Sequence, residues 1–254
     1  MRSFNEDAST FQLTDRMIHV WVIPIQVSEE IVAECRALLS PDEQARAARF
    51  QFEHLRQGFV LTRCALRMLL GGYLNTAPAN IQLLYGTKGK PRLAAEEHVC
   101  FNISHSGALA LFAFTLKCEL GVDVERIRPV ADMEGIASRF FCAEEASELM
   151  SIPADEREQA FFQCWTRKEA YLKAQGKGLT TPLDSFRVTL GPSEPARVIH
   201  IGQDRGAANE WILFDLDLGI QYKAAVAYRD RVRPVRVLQL VSPAQLLGPP
   251  GKVR

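Results

Sequence analysis

The sequence predicts an α+β protein built in two blocks, on three observations. Helical and strand patterns do not alternate strictly along the chain, which argues against a wound parallel sheet. Neighbouring strand patterns are joined by short glycine-bearing connections, the mark of antiparallel hairpins. The 254 residues, 47% hydrophobic and 24% charged, suffice for one large domain or two small ones, each with a core. The boundary is expected near 117–120, giving halves at 1–118 and 119–254.

Residues 1–16 are polar and mixed and are expected to form a loose arm. Residues 17–27 are β-branched and alternate, so they form a strand; 29–39 are helical. Ser40-Pro41-Asp42-Glu43 has serine at the N-cap, proline at the first helical position and glutamate at the third, so a second helix starts there. Residues 54–74 carry apolar side chains at helical spacing and run into Gly71-Gly72. Residues 81–93 predict a strand running into a Gly/Lys/Pro turn. Strands at 99–104 and 108–115, with Gly107 between them, predict a hairpin, and 121–126 another strand. A short helix is expected at 142–151 and a long one from about 155 to 175, stopped by Gly176 and Gly178. The remainder is strand-rich (185–190, 210–218, 221–229, 235–240), and the Pro/Gly-rich tail after Ser242 is expected to be peripheral.

The 30 basic and 30 acidic residues cancel, which argues against a general nucleic-acid binder and leaves room for a local basic cluster. No segment reaches the ~18 apolar residues of a membrane span. Six cysteines, none in a CxxC pair and most in apolar runs, predict buried free thiols in a reducing compartment, with the cytoplasm as address.

Chemistry concentrates in four stretches. In Gly121-Val122-Asp123-Val124-Glu125 the two acids share one face of a strand. Spacing alone also allows an ordinary solvent face. Two carboxylates ~7 Å apart repel by roughly 2 kcal/mol at an effective dielectric of 20, and a divalent cation between them would reverse that sign. Oxygen ligands suit Mg²⁺ or Mn²⁺ rather than zinc. A third carboxylate is available from Glu169, in the stretch WTRKEAYLKAQGKGL (165–179). Glu169 could equally form a helix ion pair with Lys173 at i+4, worth ~0.3–0.5 kcal/mol. In FNISHSG (101–107), Ser104 and His105 end a strand, where a histidine is either structural or a contact for a phosphate oxygen. The Lys88-Gly89-Lys90-Pro91 turn offers two lysines to an anion. No GxSxG elbow is present, and nothing suggests a Ser-His-Asp nucleophile.

FNISHSG, then GVDVE about twenty residues on, then WTRKEAYLKAQGKGL about forty further, in that order, resembles the 4′-phosphopantetheinyl transferases, the larger Sfp-type group above all. The similarity includes SPDEQARAARF (40–50), the GKP turn and TTPLDSFRV (180–188), and spans roughly 17–230. The resemblance implies two similar α+β halves related by a pseudo-twofold in a single-chain monomer, with coenzyme A in the cleft between them. It implies transfer of the phosphopantetheine arm of coenzyme A to a serine of an acyl or peptidyl carrier protein, with release of 3′,5′-ADP. Asp123, Glu125 and Glu169 then match the metal carboxylates. His105, Lys168 and Lys173 match phosphate-binding groups, and Lys88, Gly89, Lys90, Pro91 and Ser104 match the walls around the adenosine. Glu169 is the expected general base, assisted by Lys173 and His105. The group's prototypes carry a basic residue where this chain has Glu43, so Arg46, one turn on, is the expected contact for the ribose 3′-phosphate. The carrier protein is expected to dock near 127–153. Rival readings are another Mg²⁺-dependent enzyme that cleaves a nucleotide pyrophosphate, and a non-catalytic coenzyme A-binding module.

Overall fold

The period-two alternation of the central strands sorts their side chains into three packed layers, and this sorting sets the architecture. The computed structural model describes residues 8–86, 90–94, 98–176, 181–191, 194–202 and 204–247. Its elements are β1 (Ile18–Pro24), α1 (Glu29–Ala37), α2 (Pro41–Ala47), α3 (Glu53–Leu74), β2 (Leu83–Tyr85), β3 (Pro91–Leu93), β4 (Val99–Ser106), β5 (Leu109–Leu116) and β6 (Leu120–Arg126). There follow α4 (Met133–Phe140), α5 (Ala143–Ser151), α6 (Arg157–Gln175), β7 (Phe186–Val188), β8 (Val198–Ile201), α7 (Arg205–Ala208), β9 (Ile212–Asp215), β10 (Tyr222–Tyr228), β11 (Val235–Gln239) and α8 (Ala244–Leu247). The fold is α+β, as expected.

The first sheet has the order β11-β1-β5-β4 and the second β6-β10-β9. Pairings are antiparallel except β1 with β11, which is parallel. From β1, Trp21 and Ile23 pack with Phe112 and Phe114 of β5 against Leu66, Leu69 and Leu70 of α3. Ile18, Val20 and Val22 face the other way and meet Val122, Val124 and Val226 of the second sheet. On the far face of that sheet, Ala225 and Ala227 pack against α6 with Cys164 and Tyr171. The order is therefore α3, first sheet, second sheet, α6.

The strand expected in 81–93 is present as β2, and the proline expected in the turn instead begins a second strand, β3, paired antiparallel with it. The arm is anchored from Ala8 on: Phe11 stacks on Trp21 at 5.5 Å and meets Tyr73 edge-on at 5.2 Å. Gly72 admits that ring, since a Cβ there would lie 2.5 Å from it.

The two sheets meet along β4 and β6, each an outer strand of its own sheet. Side chains of β4 bridge them. Asn102 Oδ1 accepts from the Val122 amide (3.0 Å), Ser104 Oγ from the Val124 amide (3.3 Å) and Ser106 Oγ from the Arg126 amide (3.1 Å). Backbone donors that would make β6 an open edge are thereby satisfied.

Candidate active site

The site lies on this seam, where α6 crosses β6. The helix can approach because residue 121 is glycine: a Cβ there would lie 2.1 Å from the Ala170 carbonyl oxygen and 2.4 Å from the Ala174 nitrogen. Val122 and Val124 point between the sheets, so Asp123 points toward α6. Both faces of β6 are thus covered at this point. Asp123 is only 4% exposed, and the solvent-face alternative does not apply to it.

Lys173 Nζ donates to Asp123 Oδ1 (2.6 Å), to Ser104 Oγ (2.9 Å) and to the Val122 carbonyl (3.2 Å). Ser104 Oγ donates to Asp123 Oδ1 at 2.8 Å. Asp123 Oδ2 is buried with no hydrogen-bond partner. Burial lifts the Asp123 carboxyl above its usual range, opposed by the Lys173 ammonium and the Ser104 hydroxyl.

Glu125, two residues on, is half-buried and takes both its contacts on Oε2, from Ser106 Oγ (2.7 Å) and Arg128 Nη1 (3.3 Å). Glu169, one turn before Lys173 on α6, is also half-buried. Burial, the Asp123 charge and the Glu125 charge push its carboxyl up, and Lys173 opposes them. The three acids therefore feel one another's field. Among the described residues, however, no three His, Cys, Asp or Glu side chains gather closely enough to ligate one ion.

His105 lies at the exposed end of β4. The packing around its ring, with Lys173 and Arg63 nearby, holds it below the ordinary histidine value. Lys90 Nζ reaches the same seam, donating to Glu119 Oε2 (3.0 Å) and to the Lys173 carbonyl (3.1 Å). Pro91 begins β3; Lys88 and Gly89 lie outside the described residues.

Lys168 is elsewhere, which corrects the expectation that it binds phosphate. It is 0% exposed, pairs with Glu145 Oε2 at 2.7 Å and donates to the Leu183 (2.8 Å) and Phe186 (2.7 Å) carbonyls. Glu145 in turn accepts from the Cys142 and Val188 amides. With its side chain wholly excluded from solvent, unlike the 28%-exposed Lys173, its ammonium cannot reach a ligand. Its work is to tie α5 and the 183–188 segment to α6.

A second feature opens beside α2. Asp42, Glu43, Arg46, Arg49, Phe50 and Tyr85 line a cavity of about 600 Å³. The Arg46 guanidinium stands over the rings of Phe59 (5.4 Å) and Tyr85 (5.8 Å), and that of Arg63 over the same two at 5.3 and 5.4 Å. Arg63 Nη1 is buried without a hydrogen-bond partner. Burial lowers its pKa, and the nearby Tyr85 and Glu43 offset part of this. The Arg63 charge, which also acts on His105, links this cavity to the seam.

Glu43 does not face a ligand. It is 1% exposed and accepts from the Ser40 amide (3.1 Å), Arg67 Nε (2.6 Å) and the Tyr85 hydroxyl (3.1 Å). The acid in place of a base thus closes the capping box and holds Tyr85. Sequence reasoning missed Arg63 and Tyr85; the available signal was the spacing of Arg63 one turn after Phe59 and one turn before Arg67, which puts two arginines and an aromatic ring on one face of the helix.

The sequence profile of the 4′-phosphopantetheinyl transferase superfamily matches residues 119–227, and that of the 4′-phosphopantetheinyl transferase N-terminal region matches 26–117. The chain is 40% identical over 213 residues to 4′-phosphopantetheinyl transferase HetI of Nostoc sp., covering 83% of this chain and 86% of that one. This chain belongs to the 4′-phosphopantetheinyl transferases. It is 32% identical to Sfp of Bacillus subtilis, another member of the family, over 65% of this chain and 72% of that one. A solved holo-[acyl-carrier-protein] synthase of Thermotoga maritima shares 18% identity over 45% of this chain and 64% of its own, with a TM-score of 0.35. The two family matches meet at the start of β6, the strand that carries Asp123 and Glu125.

Proposed function

We propose that this chain transfers the 4′-phosphopantetheine arm of coenzyme A to a serine of an acyl or peptidyl carrier protein, with Mg²⁺ or Mn²⁺, and releases 3′,5′-ADP. The observation that carries the reading is Asp123. Its carboxylate is buried at the seam, held on Oδ1 by Lys173 and Ser104, with Oδ2 unpartnered. A buried acceptor without a partner is costly, of order 1–3 kcal/mol, and a hard cation fits an all-oxygen donor set. Asp123 and Glu125 would hold the ion; Glu169, not gathered with them in this structure, would join the set by a change of rotamer. Mg²⁺ usually takes only one or two protein carboxylates and fills its octahedron with substrate phosphates and water, so a closed protein cage is not required. When bound, the ion supplies Lewis-acid neutralisation of the pyrophosphate.

The remaining work falls to this chain's own groups. Lys173 supplies a positive charge within reach of the phosphates. His105, held below its ordinary value, is neutral near pH 7 and gives one N–H to a phosphate oxygen. Glu169, with its carboxyl raised, accepts the proton of the carrier serine and so makes the hydroxyl a competent nucleophile. As the serine oxygen bonds to the phosphorus that carries the pantetheine, the bridging P–O bond of the pyrophosphate breaks, and the departing 5′-phosphate of 3′,5′-ADP is stabilised by fixed charge rather than by covalent chemistry of the enzyme. At the far end, Arg46 and Arg63 offer two guanidiniums to the 3′-phosphate, and Tyr85 offers an aromatic face. Lys90 and Pro91 would border the path between the two ends. Phe140, 38% exposed at the end of α4, fits the expected carrier-docking segment. All six thiols are free, which fits a reducing compartment such as the cytoplasm.

The test is mass spectrometry of an apo carrier protein incubated with the enzyme, coenzyme A and Mg²⁺. One added phosphopantetheine arm is expected, and Asp123→Ala abolishes it while the far-UV spectrum is kept. Hydrolysis of coenzyme A with no carrier modified would favour a pyrophosphate-cleaving enzyme instead. Tight coenzyme A binding without transfer would favour a non-catalytic module.

A further inference from the structure

The three rungs of the β4–β6 seam are not equivalent. Asn102 contacts only a backbone amide of β6, whereas each serine rung also contacts a carboxylate. A serine hydroxyl has one proton and two lone pairs. In Ser106 a lone pair takes the Arg126 amide (3.1 Å), so the single proton is committed to Glu125 Oε2 at 2.7 Å. Ser104 repeats the pattern one rung earlier, with the Val124 amide and Lys173 as its donors and Asp123 Oδ1 as its acceptor. Each hydroxyl is thereby locked in rotation by the backbone of the strand whose carboxylate it holds. Each clamps one oxygen of its acid. For Asp123 the oxygen left over is the unpartnered Oδ2.

We propose that Ser106 is a positioning residue for Glu125. It fixes the rotamer of that carboxylate, so that a divalent cation meets a ligand already oriented instead of ordering a free side chain. The statement rests on the metal reading given under Proposed function. Serine supplies the geometry because its hydroxyl is short enough to reach amide and carboxylate together, and a flexible Glu125 would otherwise lose rotamer freedom on binding.

The experiment is a Mn²⁺ titration of the whole protein, followed by the electron paramagnetic resonance of free Mn²⁺, with no substrate and no turnover. Ser106→Ala is expected to weaken Mn²⁺ binding about tenfold or more, the usual effect of losing a partner behind a metal ligand. Ser106→Thr, which keeps the hydroxyl, is expected to restore it. Asn102→Ala removes a rung of the same seam that touches no acid; it is expected to lower thermal stability and leave Mn²⁺ affinity unchanged. Should Ser106→Ala not fold, Ser106→Cys keeps the volume with a weaker donor and is expected to weaken Mn²⁺ binding as well. Unchanged affinity in Ser106→Ala or Ser106→Cys, or an equal loss in Asn102→Ala, overturns the proposal. Asp123→Ala separates the two layers of argument: if it binds Mn²⁺ as the parent does, the metal reading itself falls.

Discussion

Lys168 and Lys173 are five residues apart on one helix and have opposite fates. Lys168 is sealed against Glu145, and Lys173 reaches the seam at 28% side-chain exposure. Their sequence context is alike, so composition and spacing could not separate them; only the direction of each around α6 does. Replacing one partner of a buried pair strands the other, at about 3–5 kcal/mol. Lys168→Ala is therefore expected to lower the urea midpoint of unfolding sharply. Lys173→Ala leaves the buried Asp123 carboxylate without its ammonium, so it is expected to lower the midpoint as well, by less than Lys168→Ala because Lys173 is partly exposed, and in addition to weaken coenzyme A binding, as measured by calorimetry. His19 offers a second test at this scale. It is fully buried on β1, contacts the Tyr73 hydroxyl at 2.8 Å, and is held at about 4, chiefly by burial and then by Arg236. The unfolded chain, titrating near 6.5, binds the proton that the folded state refuses between about pH 6.5 and 4. Stability is therefore full above that window and falls as pH drops through it, by up to about 1.4 kcal/mol per pH unit. In His19→Gln that slope is expected to flatten, as read from urea midpoints at pH 7, 6 and 5.

At the scale of elements, most of the frame was legible because periodicity and caps are local. The Ser-Pro-Asp-Glu start of α2, the β4–β5 hairpin through Gly107 at φ +57° and the stop of α6 at Gly176 all appear where the sequence put them. What was missed depends on contacts from afar. Helix α4 is capped locally, the Asp132 side chain accepting from the Gly135 amide at 3.2 Å, but its eight residues were too short a run to signal a helix without the packing of Ala137 into the α6 core. The tail after Ser242 was expected to be peripheral, yet Leu246 of α8 packs against the α3 side of the first sheet. The element most tightly specified is β6. Gly121→Ala would drive a methyl into the backbone of α6 at Ala170 and Ala174. It is expected to lower Tm by several degrees and to reduce transfer more than any other single-methyl change on the strand, because Lys173 and Glu169 move with the helix.

For the whole molecule, two sequence blocks do not mean two independent bodies. Strand β11, from the C-terminal block, adds to the first sheet beside β1, and Arg233 just before it donates to Thr115 Oγ1 (2.7 Å) and the Leu116 carbonyl (3.0 Å). A fragment of residues 1–118 is accordingly expected to lack a cooperative thermal transition by circular dichroism and to gain one when 119–254 is added. This crossing was illegible in the sequence, since a β-branched run near the end of the chain says nothing about which strand it joins. The grouping of candidate residues was legible where they fall in compact motifs: Ser104, Asp123, Glu125, Glu169 and Lys173 lie around one seam. It was illegible where a cavity assembles from α2, α3 and β2, as at Arg63 and Tyr85. The seam is the central claim, and anomalous scattering from a crystal grown with coenzyme A and Mn²⁺ tests it most directly. The account predicts one manganese peak bounded by the carboxylates of Asp123, Glu125 and Glu169, against the diphosphate. A peak at any other acids, or a diphosphate bound away from this seam, would contradict it.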